Sequence, residues 1–445
     1  MSRADAAIDT AEFARRRHRL LKKMGAGNVA ILTAASVKMR NREVEYPFRQ
    51  DSDFLYLTGF PEPEAIAVLV AGRKDGEFIL FCRKHNPEVE RWDGRYAGQD
   101  GARKLYGADQ AYSIDKVDKV MPDLLEKAGR VFYAMGYHTE FDARLTEWLN
   151  EVRKKYRNGV HPPVEFVALD HVLHEMRLIK SRAEIKTMRH VARVSAAAHS
   201  RAMQICRPGI TEYQIEAELR HHFIYGNCRD TAYPPIVAGG NNTCVLHYRT
   251  NNQALRDGDL LLIDAGAEYD GYAADITRTF PVNGRFTKEQ KAIYEVVLAA
   301  QQAAIRKVKP GAAWNTPHDA AVRVLTKGLV DLGLLKGEIK KLIKDGAYRK
   351  FYMHRTGHWL GIDVHDVGDY KINNRWRRLQ PGMVLTVEPG LYIPSGMRGV
   401  AKKWWKIGVR IEDDVLVTRS GNEVLSRDAP KTVGDIESLM MSARH

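Results

Sequence analysis

The chain is 445 residues long, 44 % hydrophobic and 28 % charged, the proportions of a soluble globular protein large enough for two or three cores. Its net charge is +14, but the lysines and arginines are spread along the sequence, so a solvated basic surface accounts for the excess and nucleic acid is not expected as a partner. No apolar stretch approaches the ~20 residues that cross a bilayer, so no membrane span is expected, and Cys82, Cys206, Cys228 and Cys244 form no CxxC pair, which argues against a disulfide framework or a zinc ribbon.

The N-terminal segment carries a basic cluster, Arg15 to Arg19 with Lys22 and Lys23, but no apolar signal core. Asp5, Asp9 and Glu12 argue against an acid-poor transit peptide, and the cytoplasm is the expected compartment. Residues 1–178 read as one α/β domain. A helix over 11–24 leads into a strand at 28–33. Apolar runs at 54–60 and 65–70 read with it as strands, and the turn Lys74-Asp-Gly-Glu77 makes a hairpin of 65–70 and 78–82. A further strand covers 130–135. Phe141, Leu145, Trp148, Leu149 and Val152 have helical spacing over 141–156, after which Asn158-Gly and His161-Pro-Pro163 break regular structure.

The second domain, 179–445, opens on a capping box, Ser181 with Glu184, for a helix to about residue 206. Arg207-Pro-Gly209 stops it, and a second box, Thr211 with Gln214, starts a helix to about 225. A strand-rich stretch, 235–249, follows. Residues 260–264 are apolar on both faces, read as a buried central strand, and end on Asp264. Tyr269-Asp-Gly271 supplies a turn, and the returning strand carries Asp275 ahead of Thr277-Arg-Thr-Phe280. A third box, Thr287 with Gln290, opens a helix to about 307. Lys309-Pro-Gly311 then precedes a helix through 332. The order helix, basic-Pro-Gly, helix, acid-bearing strands occurs again with strands at 382–388 and 407–417, which carry Glu388 and Glu412. An internal duplication explains the echo, with Pro208 and Pro310 at corresponding points, and two packed halves would place four carboxylates around one point.

Buried carboxylates are costly unless something positive neutralises them. Between the second-half helices and strands lie His354, His358 and His365 in a glycine-punctuated segment. A ligand set of Asp264, Asp275, His358, Glu388 and Glu412 carries four negative charges, which two divalent cations balance. Carboxylates with one imidazole suit Mn²⁺, although Co²⁺ or Zn²⁺ could also bind. Two ions about 3.5 Å apart can share a hydroxide, polarise a carbonyl and hold a leaving group, so hydrolysis is the expected reaction.

These motifs resemble the dinuclear metallopeptidases of pita-bread fold, and within them the Xaa-Pro aminopeptidases. The similarity lies in Ile263-Asp-Ala-Gly, Asp275-Ile-Thr-Arg-Thr-Phe, His358-Trp-Leu-Gly-Ile-Asp-Val-His365-Asp, Glu388-Pro-Gly-Leu-Tyr392 and Gly408-Val-Arg-Ile-Glu-Asp. In the first domain it extends to residues 48–60 and Arg91-Trp-Asp-Gly-Arg95. The resemblance implies an α/β chain with a creatinase-like N-terminal domain and a pita-bread domain of two duplicated halves. It also implies that a metal-bridging hydroxide attacks the Xaa-Pro bond of peptides with proline second, releasing the N-terminal residue. Asp264 would bind one ion, His358 and Glu388 the other, and Asp275 and Glu412 would bridge. Glu388 would also handle the water proton, His365 would hydrogen-bond the scissile carbonyl, and His247 matches the family's other active-site histidine. His354 and Arg410 match positions that orient ligands. His354, Trp92 and Tyr392 would stand at the substrate, Trp92 as an aromatic able to close a neighbouring subunit's site in a homodimer or homotetramer.

Two features depart from the pattern: Arg355, where relatives often have a small residue, and the segment Lys402-Lys-Trp-Trp-Lys406. Two rival readings share the architecture. A prolidase would restrict the same chemistry to Xaa-Pro dipeptides, against which the first-domain motifs speak. A non-catalytic binding protein would be expected to have lost ligands, and here all five are present.

Overall fold

The computed structural model describes residues 7–443, so Asp5 of the N-terminal charge pattern lies outside the described residues. The chain divides into two compact units, the first covering residues 8–177 and the second 178 onward.

The first unit is built on a six-stranded mixed sheet of β1 (Val29–Thr33), β2 (Ile66–Val70), β3 (Phe78–Cys82), β4 (Gln110–Ser113), β5 (Arg130–Phe132) and β6 (Glu165–Val167). The order is β4-β3-β2-β1-β5-β6, and β2 and β3 form the expected antiparallel hairpin. Around the sheet run α1 (Thr10–Met24), α2 (Ser52–Thr58), α3 (Pro87–Asp93), α4 (Gly98–Lys104), α5 (Val117–Leu125), α6 (Thr139–Lys154) and α7 (Leu169–Leu178). Val29, Ile31, Val68 and Ile79 of the sheet pack with Met121 and Leu125 of α5 and Leu145 and Trp148 of α6 in one core. The apolar run at 54–60 corrects its reading as a strand, because it lies largely in α2. Asp51 accepts the Phe54 N–H at its start, and Gly59 closes it in the left-handed conformation. End signals, rather than the β-favouring residues between them, decide that segment.

In the second unit all three capping boxes form, opening α8 (Arg182–Ile205), α9 (Glu212–Tyr225) and α10 (Lys288–Ile305). Proline at the first turn leads α11 (Thr316–Asp331), and α12 (Ile339–Lys344) and α13 (Val433–Ser442) complete the helices. The stretch 235–249 is less strand-rich than its composition suggests. After β7 (Asp230–Thr231), only β8 (Ile236–Gly239) is extended, and a 3₁₀ turn occupies Gly240–Cys244.

The first acid-bearing hairpin consists of β9 (Leu260–Asp264), β10 (Ala267–Tyr269), β11 (Tyr272–Ala273) and β12 (Thr277–Pro281). β9 is central between β8 and β12, with Asp264 facing Thr277. Asp270 and Gly271 at its tip have φ of 50° and 81°, the left-handed pair that a tight hairpin turn needs. After the small hairpin of β13 (Lys371–Ile372) and β14 (Arg375–Trp376) comes the second device: β15 (Val384–Val387), β16 (Gly390–Ile393), β17 (Ile407–Arg410) and β18 (Asp413–Val417), with β19 (Asn422–Val424) on its edge. Antiparallel pairing joins β15 to β18 and β16 to β17.

The strands differ from the continuous ones expected. Asp275 lies in a break before β12, Glu388 just after β15, and Glu412 in the break between β17 and β18; only Asp264 lies within a strand. The breaks have a physical cause. At the first, the Asp275 N–H donates to the Asp414 carboxylate at 3.2 Å instead of to a neighbouring strand. Opposite it, a Cβ on Gly266 would come within 1.7 Å of the Ala274 carbonyl oxygen, so the close approach requires glycine. The hairpins meet where the Glu412 N–H donates to the Thr277 carbonyl at 3.1 Å and Thr279 bonds the Arg410 backbone.

Candidate metal and active site

Asp275, Glu388 and Glu412 at the breaks and Asp264 at the end of β9 line one cavity of about 410 Å³, whose walls also include His358, His247, His354, His365 and Arg410. Donor atoms of Asp275, His358 and Glu412 all lie within 4.8 Å of one another. His358 Nε2 is 3.3 Å from Asp275 Oδ2 and 3.7 Å from Glu388 Oε1. Its Nδ1 is 2.9 Å from the Trp359 carbonyl, which can only accept, so Nδ1 carries the hydrogen and Nε2 is the atom offered to the cavity.

Arg410 reaches three groups. Its Nη2 donates to Asp264 Oδ2 at 2.5 Å, its Nη1 to the Tyr392 hydroxyl at 3.2 Å and its Nε to Thr277 Oγ1 at 3.1 Å. Tyr392 in turn donates to His354 Nε2 at 2.8 Å, and His354 Nδ1 donates to the Arg355 carbonyl at 2.7 Å. This chain fixes the His354 tautomer, and burial next to the Arg410 charge pulls its pKa down to about 3. The imidazole is therefore neutral, and its 3.8 Å approach to Glu388 is not an ion pair.

Four residues of the site have no role assigned from the sequence, although Thr277 and Arg278 fall inside the motif Asp275-Ile-Thr-Arg-Thr-Phe. The Tyr233 hydroxyl lies 2.6 Å from Asp264 Oδ1 and 2.5 Å from Asp275 Oδ1. Thr277 donates to Glu412 Oε2 at 2.6 Å, and Asp414 holds the Asp275 backbone. Arg278, fully buried, donates to the Glu412 carbonyl at 2.6 Å and to Asp413 at 2.8 Å. These pairs are 31 to 139 positions apart, so only the fold assembles them.

Trp92 is not among the residues lining this cavity; it sits on α3 of the first unit, 89 % exposed, which rules out ordinary packing as its role within one chain. Within the Lys402-Lys406 segment a 3₁₀ turn, Lys402–Trp404, buries Trp404. All four cysteines are free.

The donor set fits divalent metal. Burial raises Asp264, pushes Glu388 up to about 7 and lifts Glu412 well above the usual carboxylate range, each with further upward push from the neighbouring acids. His358 moves the opposite way to what its own burial dictates, up to about 9, because Asp275 and Glu388 face it. The cavity thus calls for more positive charge than Arg410 supplies, and it presents oxygen donors with one imidazole nitrogen.

Comparison with known proteins agrees with this chemistry. The model of "Metallopeptidase family M24" matches residues 186–419, and that of "Aminopeptidase P, N-terminal domain" matches residues 13–133. The Xaa-Pro aminopeptidase of Escherichia coli K12 is 44 % identical over 438 residues, 98 % of this chain and 99 % of the relative. The chain belongs to metallopeptidase family M24. Its second unit has the family's pita-bread fold, and its site is one for divalent metal ions. Among solved structures, Pseudomonas aeruginosa aminopeptidase PepP superposes with a TM-score of 0.98 at 57 % identity, covering 99 % of each chain. A zinc-substituted E. coli aminopeptidase P in complex with product gives 0.95 at 44 % identity, covering 98 % of this chain and 99 % of that one.

Proposed function

We propose that this chain is a metal-dependent exopeptidase that releases the N-terminal residue from peptides with proline in the second position. The observation that carries the reading is the convergence of four carboxylates and the Nε2 of His358 on one cavity. Asp264, Asp275, His358, Glu388 and Glu412 are the proposed ligands of two divalent ions, whose charge balances four carboxylates, and the oxygen-rich donor set suits Mn²⁺. Asp264 would help hold one ion, His358 and Glu388 the other, and Asp275 and Glu412 would contribute to both. When bound, such ions polarise a carbonyl and supply a nucleophilic water near neutral pH.

The chain's own groups do the rest. A Glu388 carboxylate oxygen takes the proton of the attacking water and returns it to the departing proline nitrogen. His365, which lines the cavity with its ring centre 4.3 Å from that of His358, donates to the scissile carbonyl oxygen as charge gathers there. His247 stands on the wall as a second polar contact. Arg410, through Tyr392, orients His354, which burial and the Arg410 charge keep neutral, while it fixes Asp264. Residues 1–178 serve as the aminopeptidase P-type N-terminal domain and 179–445 as the catalytic domain. Trp92, too exposed for a packing role, suits closure of a neighbouring subunit's site in a homodimer or homotetramer. Among the described residues no helix is long and apolar enough to cross a membrane, in keeping with a cytoplasmic setting.

The purified protein, loaded with Mn²⁺, is to be offered Ala-Pro-Gln and Ala-Pro side by side. Release of alanine from the tripeptide supports the assignment. Cleavage of the dipeptide alone makes the chain a prolidase, and cleavage of neither leaves only a binding role.

A further inference from the structure

Beside the catalytic cavity lies a second one of about 550 Å³, and the two share Arg355, Gly357 and Tyr370 in their walls. The two thus adjoin, with Arg355 on the boundary between them. The far wall is aromatic: Trp314 packs against Tyr370 with ring centres 4.7 Å apart, and Trp376 stands on the β13–β14 hairpin. Asn373 and Asn374 turn that hairpin with φ of 49° and 60°, the left-handed pair asparagine tolerates, so Trp376 is carried on a tight, defined turn.

Two cations lie over the Trp376 ring, the Arg355 guanidinium 4.9 Å and the Lys371 ammonium 4.4 Å from its centre. Arg355 donates to Oδ1 of Asn315, and among the described residues it has no carboxylate partner. Asp369 is the one acid in the lining, against Arg355 and Lys371. The second cavity is therefore largely aromatic-walled and net positive, with Arg355 on the side it shares with the catalytic cavity.

We infer that this second cavity receives the part of the peptide that follows proline, and that Arg355 makes the enzyme favour a carboxylate there. The inference rests on the aminopeptidase reading. With the N-terminal residue and proline in the catalytic cavity, the chain beyond proline must leave it, and the shared lining at Arg355, Gly357 and Tyr370 puts a peptide-sized space directly beside it. The carboxylate can be the side chain of an acidic third residue or the free C-terminus of a tripeptide; both present the same planar pair of oxygens to a guanidinium fork. Arg355 is a specificity-determining residue in this account. It acts on an atom far from the scissile bond, so its effect belongs in KM.

The test uses full-length, metal-loaded enzyme and three peptides: Ala-Pro-Gln amide, Ala-Pro-Glu amide and Ala-Pro-Gln with a free C-terminus. The expected result is a kcat/KM for at least one acidic peptide roughly three- to five-fold above that of the neutral amide, the range of a solvent-exposed ion pair. The gain sits in KM and shrinks at high salt. A gain for the glutamate amide identifies the side chain as the carboxylate recognised; a gain for the free acid identifies the terminus. Arg355→Ala should bring the ratios to about one, and Arg355→Lys, which keeps the charge, should retain part of the gain. Ratios near one in the wild type, or ratios that survive Arg355→Ala, overturn the inference while leaving the aminopeptidase reading intact. No release of alanine from any of the three peptides overturns that reading itself.

Discussion

The hydroxyl of Tyr233 lies 2.5 Å from Oδ1 of Asp275 and 2.6 Å from Oδ1 of Asp264, so one phenolic proton serves two carboxylates that the fold holds together. Burial and the negative charges of Asp264 and Asp275 raise the phenol's pKa well above its ordinary value, which keeps the proton on the oxygen as a donor. Removing it takes this shared hold from both acids, leaving Asp264 with Arg410 and Asp275 with His358. Tyr233→Phe is expected to lower metal affinity or kcat/KM by about 10–100-fold, the usual cost of losing a group that orients metal ligands. Metal titration by calorimetry and peptide kinetics measure it; affinity and turnover equal to wild type would refute the role.

Arg410 ties Asp264 to Tyr392 and Thr277 with three donors of a planar fork, a geometry that lysine cannot copy. Arg410→Lys should therefore reduce kcat/KM by at least about ten-fold although the charge is kept. A variant within two-fold of wild type would show that charge alone matters at this position.

His199 is wholly buried on α8, its Nε2 2.9 Å from the Ala265 carbonyl, and burial lowers its pKa from 6.5 to about 4. In the unfolded chain the same imidazole takes a proton below about pH 6.5, so the unfolded state binds more protons between pH 6.5 and 4. Its contribution to stability is fully present above pH 6.5 and is lost as pH falls toward 4, by up to about 3 kcal/mol. Urea unfolding at pH 7.5 and pH 5 should show this loss in the wild type and a smaller one in His199→Gln. Identical pH dependence in both would count against it.

Gly266 lets the backbone of the first hairpin close on itself, since a Cβ there would meet the Ala274 carbonyl oxygen at 1.7 Å. Gly266→Ala must push apart the segments that carry Asp264 and Asp275. A loss of about 3 kcal/mol in stability is expected, at the top of the overpacking range, together with weakened metal binding. Thermal melts with and without Mn²⁺ read both; a variant as stable and as responsive to metal as wild type would remove the glycine from the argument.

The sequence made the helix starts legible because capping is local. Ser181 and Glu184, or Thr287 and Gln290, are neighbours along the chain as well as in the fold. The acids stood out because an apolar strand such as 260–264 should not end on Asp264 without a reason. What stayed hidden depends on distance in sequence. Tyr233 has no evident role until the fold brings it to Asp264 and Asp275, 31 and 42 positions away. The roles of Thr277, Arg278 and Asp414 appear only when hairpins more than a hundred positions apart bring Asp275 to Asp414 and Thr277 to Glu412. Composition was also overruled twice: Phe54, Tyr56 and their neighbours favour a strand, but Asp51 and Gly59 cap a helix, and within 235–249 a 3₁₀ turn takes Gly240–Cys244. The strand breaks at Asp275 and Glu412 follow from backbone approaches that composition does not encode.

The most direct test of the central claim compares wild type with Glu388→Ala, each stripped by a chelator and then reloaded with Mn²⁺, on Ala-Pro-Gln. Stripped wild type should be inactive, and reloading should restore release of free alanine. Glu388→Ala should stay inactive after reloading, with an unchanged far-ultraviolet circular dichroism spectrum showing that the fold persists. Alanine release by the stripped enzyme, or undiminished release by Glu388→Ala, would contradict the account.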